Sequence, residues 1–531
     1  MKKLYSLLFA LLLITGLPTF INAAELSNEQ TIEDINVRNI KTYGGSSSDN
    51  FSSMITINDG YIVVGSSSSD DYDQDDRRKG RDGSDAILVK YSSNLQVTKK
   101  ITFGGRGNDA FVKIIEDSDG NYLVLGYSTS DDQDLYRQNR GEQDAFIIKY
   151  DRNLNELDRV IFGGSRYDHL YSIIQNEAGN YIAVGTSSSK DDDLKHKNIN
   201  KQDGVIAEFD EDLDLLEVTT FGGTDNDILH DVIEDENNDY ILVGYSTSMN
   251  LMQKDSNYGL QDAIIAKYDD NLDYIDHENF GGTKFDSFQS LLLESDGSYV
   301  VVGESSSNDE NMLNLNKGGK DIVIVKYNPN LSINKMVNFG GSKDESTHQI
   351  IKDKKGNYAI PLYSLSNDGD FKDMNTGFSD IAIFKFDDEF TNIEKESFTG
   401  SSFDYLYQID FDKDNNVVGI GSSYSNNGLF KNLNKGLIDG YIFKYDVDKY
   451  HLKVDESATV QLGTILTDKQ ILNLFNAEAS YNGTSLKKSI IVNTQDLNIN
   501  EAGAYSILFS LEYKGKTLEV EGILNVVAPK Y

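Results

Sequence analysis

From about residue 36 the chain alternates short apolar runs with polar turns on a fixed beat. In one copy, Phe221-Gly222-Gly223 leads to Asp227 and an apolar run, Ile228–Ile233. A polar turn follows, then Tyr240-Ile241-Leu242-Val243-Gly244, Ser246 and Ser248, a long polar loop, Asp262 and an apolar run up to Lys267. The opening aromatic recurs at Tyr43, Phe103, Phe162, Phe221, Phe280, Phe339 and Phe398, spaced by 60 residues once and by 59 five times. The acid before the last run recurs at Asp85, Asp144, Asp203, Asp262, Asp321, Asp380 and Asp439, always 59 apart. Two markers in step over seven copies establish an internal repeat, and a period of this size marks a solenoid, propeller or array.

Each copy holds four short runs rich in Val, Ile, Tyr and Phe. In the second they are Phe111–Glu116, Tyr122–Gly126, Ala145–Tyr150 and about Leu157–Phe162. Turns such as Ser118-Asp119-Gly120-Asn121 separate them, which is hairpin chemistry, and no apolar period near 3.6 residues is sustained. Four strands in each of seven copies predict an all-β fold, a seven-bladed β-propeller of four-stranded blades. Asn36–Gly45 reads as a fourth strand without its first three, and the last copy, about Asp404–Asp446, lacks its fourth. The N-terminal strand is therefore expected to close the ring by completing the final blade, which leaves no free sheet edge.

Phe162-Gly163-Gly164, Asp168, Gly179-Asn180-Tyr181 and Gly185 carry a resemblance to the bacterial β-propeller repeats called SBBP repeats, over about Asn36–Asp446. The resemblance implies an extracellular or surface propeller and brings no catalytic residues. The sixth copy departs from it. Leu362 replaces the glycine and Pro361 falls inside a strand, where a proline demands irregular backbone.

Lys2 and Lys3, the apolar stretch Leu4–Ile14 and the small residues Ala23 and Ala24 read as a secretory signal peptide over residues 1–24, cleaved near Ala23-Ala24. Residues 25–35 are a polar lead-in and 36–446 the propeller. Residues 447–531 break the period and alternate apolar and polar positions, as in Tyr505–Leu511 and Thr517–Val527, with a short helix expected at Asp468–Phe475. Glu501-Ala502-Gly503-Ala504-Tyr505 resembles the turn before the last strands of bacterial immunoglobulin-like modules, with Ala502 where those often carry proline. A small Ig-like β-sandwich is expected there, acting as a spacer or attachment module. With no cysteine there is no disulfide framework or thiol chemistry.

The formal charge is −37, from 86 acids against 49 bases, and the last 85 residues contribute only −2 of it. Such a field repels nucleic-acid phosphate and anionic lipid, so nucleic acid and membrane insertion are set aside. An extracellular protein or glycan is the expected partner.

Long loops leave each second strand after a Gly-x-Ser-x-Ser segment and return at the periodic Asp. The Phe-Gly-Gly crossovers emerge on the same side, so one rim is crowded and is the expected binding face. Its periodic carboxylates Asp49, Asp109, Asp168, Asp227, Asp286, Glu345 and Asp404 are candidate binding residues, as are the loop tyrosines Tyr72, Tyr136 and Tyr258, which stand in for the missing Trp as sugar platforms. The carboxylates and paired serines also have an architectural reading, as partners for backbone N–H groups. Acidic loops such as Asp70-Asp71-Tyr72-Asp73, Asp131-Asp132-Gln133-Asp134 and Asp191-Asp192-Asp193 suit Ca²⁺ in ligand type but lack the calcium-loop spacing. The six histidines, His169, His196, His230, His277, His348 and His451, fall in no metal-ligand motif, although His230 and His348 share one slot of the first strand. No catalytic set emerges. The expectation is a secreted or surface binding protein of adhesion type. The alternatives are an enzyme acting on extracellular polysaccharide and a calcium-stabilised structural protein.

Overall fold

The computed structural model describes residues 27–74, 83–197, 199–253, 257–375, 377–413, 415–481, 484–513 and 516–529. The expected signal peptide and its Ala23-Ala24 cleavage site lie outside them. The described chain forms two compact units, one of residues 37–445, the other of those before 37 and after 445.

Among the described residues the repeat becomes seven antiparallel sheets, each built from consecutive strands except the last, which also takes the N-terminal strand. The second copy gives Asp109–Glu116, Tyr122–Ser128, Asp144–Tyr150 and Glu156–Phe162, paired in that order. Its second strand is buried at all but one position and its third throughout. Both faces of these strands pack on neighbouring sheets, which is why they read as unbroken apolar runs. The fourth strand lies at the sheet edge and is largely exposed until Phe162. Hydrophobic clusters span adjacent sheets. Leu123, Leu125 and Ile147 of the second pack with Leu170, Ile173 and Val205 of the third, for example. Each such side chain contributes about 1.5–3 kcal/mol by leaving water.

One bond repeats at every junction between sheets. The acids Asp49, Asp109, Asp168, Asp227, Asp286, Glu345 and Asp404 are the first ring, and the set from Asp85 to Asp439 is the second. The N–H of each first-ring acid donates to the carbonyl of the residue before the second-ring Asp of the preceding sheet: Asp109 to Ser84 (2.7 Å), Asp168 to Gln143 (2.8 Å), Asp227 to Gln202 (2.7 Å). The first sheet makes the same bond to the seventh, Asp49 N–H to Ile438 (2.9 Å). Phe51, Met54, Tyr61 and Val63 of the first sheet share a core with Val418, Ile420 and Ile442 of the seventh. The third strand of the seventh sheet, Asp439–Asp455, pairs with Ser27–Tyr43, and Thr42 Oγ1 donates to the Leu433 carbonyl at 2.8 Å.

The far rim has tight turns locked between sheets. Asp117 accepts the N–H groups of Asp119 and Asn121, and Tyr181 of the next sheet donates its hydroxyl to Asp117 at 3.1 Å. Tyr299 does the same to Asp235, and Tyr61 to Asp412.

The irregularity expected in the sixth copy is present. Its first strand is split into Glu345–Thr347 and Ile351–Lys352. Pro361 lies in the second strand, Tyr358–Ser364, and its carbonyl accepts from Thr347 Oγ1 at 2.7 Å. Its nitrogen therefore also faces the first strand, where it has no proton to donate, and the pairing lapses there.

In the smaller unit, Ser457–Gln461, Lys516–Val527, Gly503–Tyr513 and Ile490–Asn493 form a four-stranded sheet in that order. Its core includes Leu452, Val454, Phe475, Ile507, Phe509 and Leu524. The helix expected near Asp468 runs Asp468–Leu474. It starts at Thr467, whose side chain accepts the Gln470 N–H while the Gln470 side chain accepts the Thr467 N–H, a capping box.

Candidate functional site

The seven first-ring carboxylates lie inside the crossovers, at most 1 % exposed. In the third sheet Asp168 accepts the Ser187 hydroxyl on one oxygen, and on the other the Ser189 hydroxyl (2.7 Å) and the Gly164 N–H (2.8 Å). The set repeats at Asp49, Asp109, Asp227 and Asp286. Glu345 takes Ser364 Oγ and Gly341 N–H, and Asp404 takes Ser423 and Ser425. The paired serines of each copy thus serve its own carboxylate. Burial outweighs these bonds and raises the carboxyls above their ordinary range, Glu345 to about 7 and Asp404 to about 6.

The second ring sits beside the first. Asp144, Asp203 and Asp262 are pushed up to about 7, mainly by burial, with Asp168, Asp227 and Asp286 respectively adding like-charge repulsion. A Cβ on Gly163, whose φ is +150°, would lie 2.5 Å from Asp144 Oδ1 and 2.7 Å from Asp168 Oδ2. Glycine is needed there for both its backbone angle and the close approach. In the last copy Thr399 takes this place, and the following Gly400 N–H turns to Asp380 (2.8 Å).

The acidic loops serve the same crossovers. Asp71, Asp132 and Asp191 accept the N–H after the second glycine, and Asp73, Asp134 and Asp193 that of the first. Among the described residues no group of three or more His, Cys, Asp or Glu is arranged to hold a metal ion. Tyr72, Tyr136 and Tyr258 are exposed at 62 %, 63 % and 47 %, in three separate loops.

A second constellation lies on the axis. The first strands carry a β-bulge, as between Phe51 and Ser53, Leu170 and Ser172, or Leu229 and Asp231. The bulge turns one extra residue out of the ladder. Those residues, Ser52, Val112, Tyr171, His230, Gln289 and Tyr407, with His348 at the break in the sixth sheet, line one cavity of about 380 Å³. The residue after the bulge ties sheet to sheet: Ser53 Oγ accepts the Ile114 N–H (3.3 Å), and Gln349 Oε1 that of Ile409 (2.9 Å). Across the seventh-to-first junction Gln408 accepts from Met54 N–H and donates to Met54 O, both at 2.8 Å. His230 and His348 line this cavity, and desolvation lowers both below the ordinary imidazole value. His169, lowered to about 4 by burial, stacks on Tyr171 at 4.2 Å.

From this cavity a line of rings climbs to the crowded rim. Phe403, Tyr405 and Tyr407 alternate along the start of the seventh sheet's first strand and so share a face. Their planes are nearly parallel, 6.5 Å and 8° between the first two, 6.2 Å and 5° between the last two. Phe378 stacks on Phe403 at 5.1 Å, and Tyr363 meets Tyr405 edge-on at 4.9 Å. Phe378 is 63 % exposed and Tyr424, which also touches Phe403, is 44 % exposed. A second cavity of about 230 Å³, lined by Lys320, Asp344, Tyr363, Phe403 and Tyr405 among others, opens beside them. The sequence reading passed over this ladder. Its signal was that the rings interrupt the period: the Phe403 slot holds Ser48, Asn108, Tyr167, Asn226, Phe285 and Asp344 in the other copies.

Repeated four-stranded antiparallel sheets, packed on one another with their first strands around one cavity, make the chain a β-propeller repeat protein. No family model matches it, and a search of the curated proteins finds no match. Solved structures match at low similarity. The WD40 repeats of RRP9 match at 7 % identity and a TM-score of 0.42, covering 78 % of this chain and 100 % of that one. The Neurospora crassa Pan2 WD40 domain matches at 9 % and 0.38, covering 77 % and 96 %. YCF48 from Cyanidioschyzon merolae matches at 9 % and 0.38, covering 76 % and 98 %. At these values no residue role or partner passes from them to this chain. Among the described residues no helix is long and apolar enough to cross a membrane.

Proposed function

We propose that the protein is a secreted or cell-surface binding protein of adhesion type, whose propeller presents its loop rim and axial cavity to an extracellular protein or glycan. The observation that carries this reading is the exposed ring ladder from Phe378 to Tyr407, which joins the rim to the cavity and breaks an otherwise regular architecture. Structural positions repeat in every sheet; these do not. The ring has seven blades and is closed by the N-terminal strand. In support, the Asp49–Ile438 and Gln408–Met54 bonds reproduce at the last junction those made at the others, and Ser27–Tyr43 lies against Asp439–Asp455. The blades are of the SBBP type, on the residues that carry that resemblance. The C-terminal unit is an Ig-like spacer. The Tyr505 hydroxyl, which returns to the Glu501 carbonyl at 3.0 Å, has the form of the tyrosine corner of such sandwiches. Export follows from Lys2-Lys3 and Leu4–Ile14, and N-terminal sequencing of the mature protein checks it: a start other than near Ala23-Ala24 overturns that part.

The polysaccharide-cleaving alternative asks for a free carboxylate pair near the axis. Asp231 accepts Ser172 Oγ and Leu291 N–H, while Glu304 is held by Ser346 and Lys320, so neither is idle. The calcium alternative is weakened by the loop acids' occupation with backbone N–H groups. The test is an array of glycans and purified extracellular proteins probed with the full mature chain, beside a polysaccharide turnover panel. Specific retention on one class supports the reading. Silence on the array together with turnover overturns it.

A further inference from the structure

We propose that the axial cavity and the ring ladder above it form one binding site for a neutral oligosaccharide, with a terminal pyranose held among Tyr171, His230, His348 and Tyr407 and the chain leaving past Tyr405 and Phe403. This rests on the reading of the protein as a binding module and names its ligand class.

Around the axis the bulge slot reads Ser52, Val112, Tyr171, His230, Gln289, His348, Tyr407 in sheet order. Five consecutive sheets supply broad planar side chains with polar atoms, and the other two supply small ones that leave the space. An aromatic face against the C–H face of a pyranose, with polar groups placed to meet its hydroxyls, is the combination a sugar needs. The cavity, about 380 Å³, lies at the small end of ligand pockets.

Apart from Lys113 and Asp231 on the wall, the polar groups of the slot are hydroxyl, amide and imidazole, which work in both directions. His230 Nδ1 lies 2.8 Å from the Phe288 carbonyl, which can only accept, so Nδ1 carries the proton and Nε2 keeps a lone pair for a hydroxyl. The Tyr407 hydroxyl shares a 3.1 Å bond with Ser422 Oγ and can exchange roles with it. Gln289 offers an amide, and Lys113 on the same wall offers donors. Of the nearby acids, Glu304 is paired with Lys320, and Asp231 accepts Ser172 Oγ and Leu291 N–H. A polyanion would meet the field of a chain with net charge −37. Neutral chains avoid that penalty. The ladder then explains itself as a path: near-parallel rings 6.5 Å and 6.2 Å apart lead outward to Phe378 at the rim.

The experiment titrates the full mature chain with cello-, chito- and manno-oligosaccharides of increasing length, and with oligogalacturonate as the acidic arm, by calorimetry. At least one neutral series is expected to bind, more tightly as the chain lengthens and then level. Tyr407→Ala, and Val112→Phe, which fills the cavity from the side of the small residues, should each weaken every length by about tenfold or more, the scale of losing a central aromatic contact. Phe403→Ala should remove only the gain of long over short chains, and Leu157→Ala, at an exposed position of a fourth strand, should change nothing. Melting curves accompany each variant, and if Tyr407→Ala fails to fold, Val112→Phe decides. Binding unchanged in a folded Val112→Phe, tighter binding of oligogalacturonate, or no heat with any neutral series overturns the proposal. If the sugars are silent while a protein on the array is retained, this inference falls and the binding function stands.

Discussion

The buried carboxyls make the larger unit more stable in mild acid than in mild base, and Asp262 offers a clean place to measure it. Its carboxyl is raised from an ordinary 3.8 to about 7, chiefly by burial and then by Asp286. One oxygen accepts the Tyr258 N–H at 2.6 Å, and the other is buried with no hydrogen-bond partner among the described residues. The folded chain therefore keeps a proton that the unfolded chain has released. Stability from this group is full below about pH 4, falls as pH rises through the interval from about 4 to about 7, and is flat above it. Roughly three pK units at 1.36 kcal/mol each set the loss at about 4 kcal/mol. A cooperative unit of roughly 400 residues unfolds with about 0.85 kcal/mol/K of entropy, so this is about 5 °C in melting temperature. Asp262→Asn keeps the shape and the acceptor for Tyr258 but needs no proton. It should melt about 2 °C above the wild type at pH 5, where over a third of the loss is already present, and up to about 5 °C above it at pH 8. Asp212→Asn, at an exposed turn, removes the same charge without touching the site. Calorimetric melts of the three proteins at the two pH values suffice. The reasoning fails if Asp262→Asn at pH 8 melts no higher than Asp212→Asn; the wild type's own trend is not the test, because the lowered histidines His169, His230 and His348 act in the opposite direction over this window. The turn acids held below their ordinary range, Asp117, Asp235 and Asp412, lose their contribution only as pH falls through that lower range, outside this window.

If the ring is closed, Tyr61→Phe at the first-to-seventh junction and Tyr181→Phe at the second-to-third remove like bonds to Asp412 and Asp117. Each should cost about 1–2 kcal/mol in urea unfolding, whereas a harmless Tyr61→Phe beside a costly Tyr181→Phe would speak for an open ring. Gly244→Ala sets a Cβ 1.9 Å from the Ile228 carbonyl oxygen, and the strand must move. A loss above about 3 kcal/mol, or failure to fold, is expected by circular dichroism, and a variant as stable as wild type would refute the packing. Thr467→Ala removes the cap of the helix in the C-terminal unit and should cost that unit about 1 kcal/mol in denaturant melts; no change would mean the cap is idle. EDTA should leave the melting midpoint within scan error, because the loop acids already hold backbone N–H groups, and a clear fall would restore the calcium alternative.

What could be read from the sequence and what could not divide along a physical line. Strands buried on both faces are apolar, turns favour Gly, Asn and Asp, and the tight crossover is Gly-Gly in six copies with Thr399-Gly400 in the other, so the scaffold wrote itself into the sequence copy after copy. The same logic drew attention to Asp49, Asp168 and their equivalents because they recur. In the structure that recurrence goes into holding the Gly-Gly turn, through Ser187, Ser189 and Gly164 in the case of Asp168. The axial residues stayed hidden for the opposite reason. Whether position 171 or position 230 faces the axis depends on a one-residue bulge, and in a strand one residue of register decides the face. Once the bulge is known, Tyr171, His230 and Tyr407 are neighbours drawn from three distant copies, and they share no motif because they serve one space between them. In a ring of repeats a single-ligand site has to be asymmetric, since one ligand cannot meet seven equal walls equally. The search for function therefore begins at the slots that vary while their neighbours hold the period, and here those slots run from Tyr407 to Phe378.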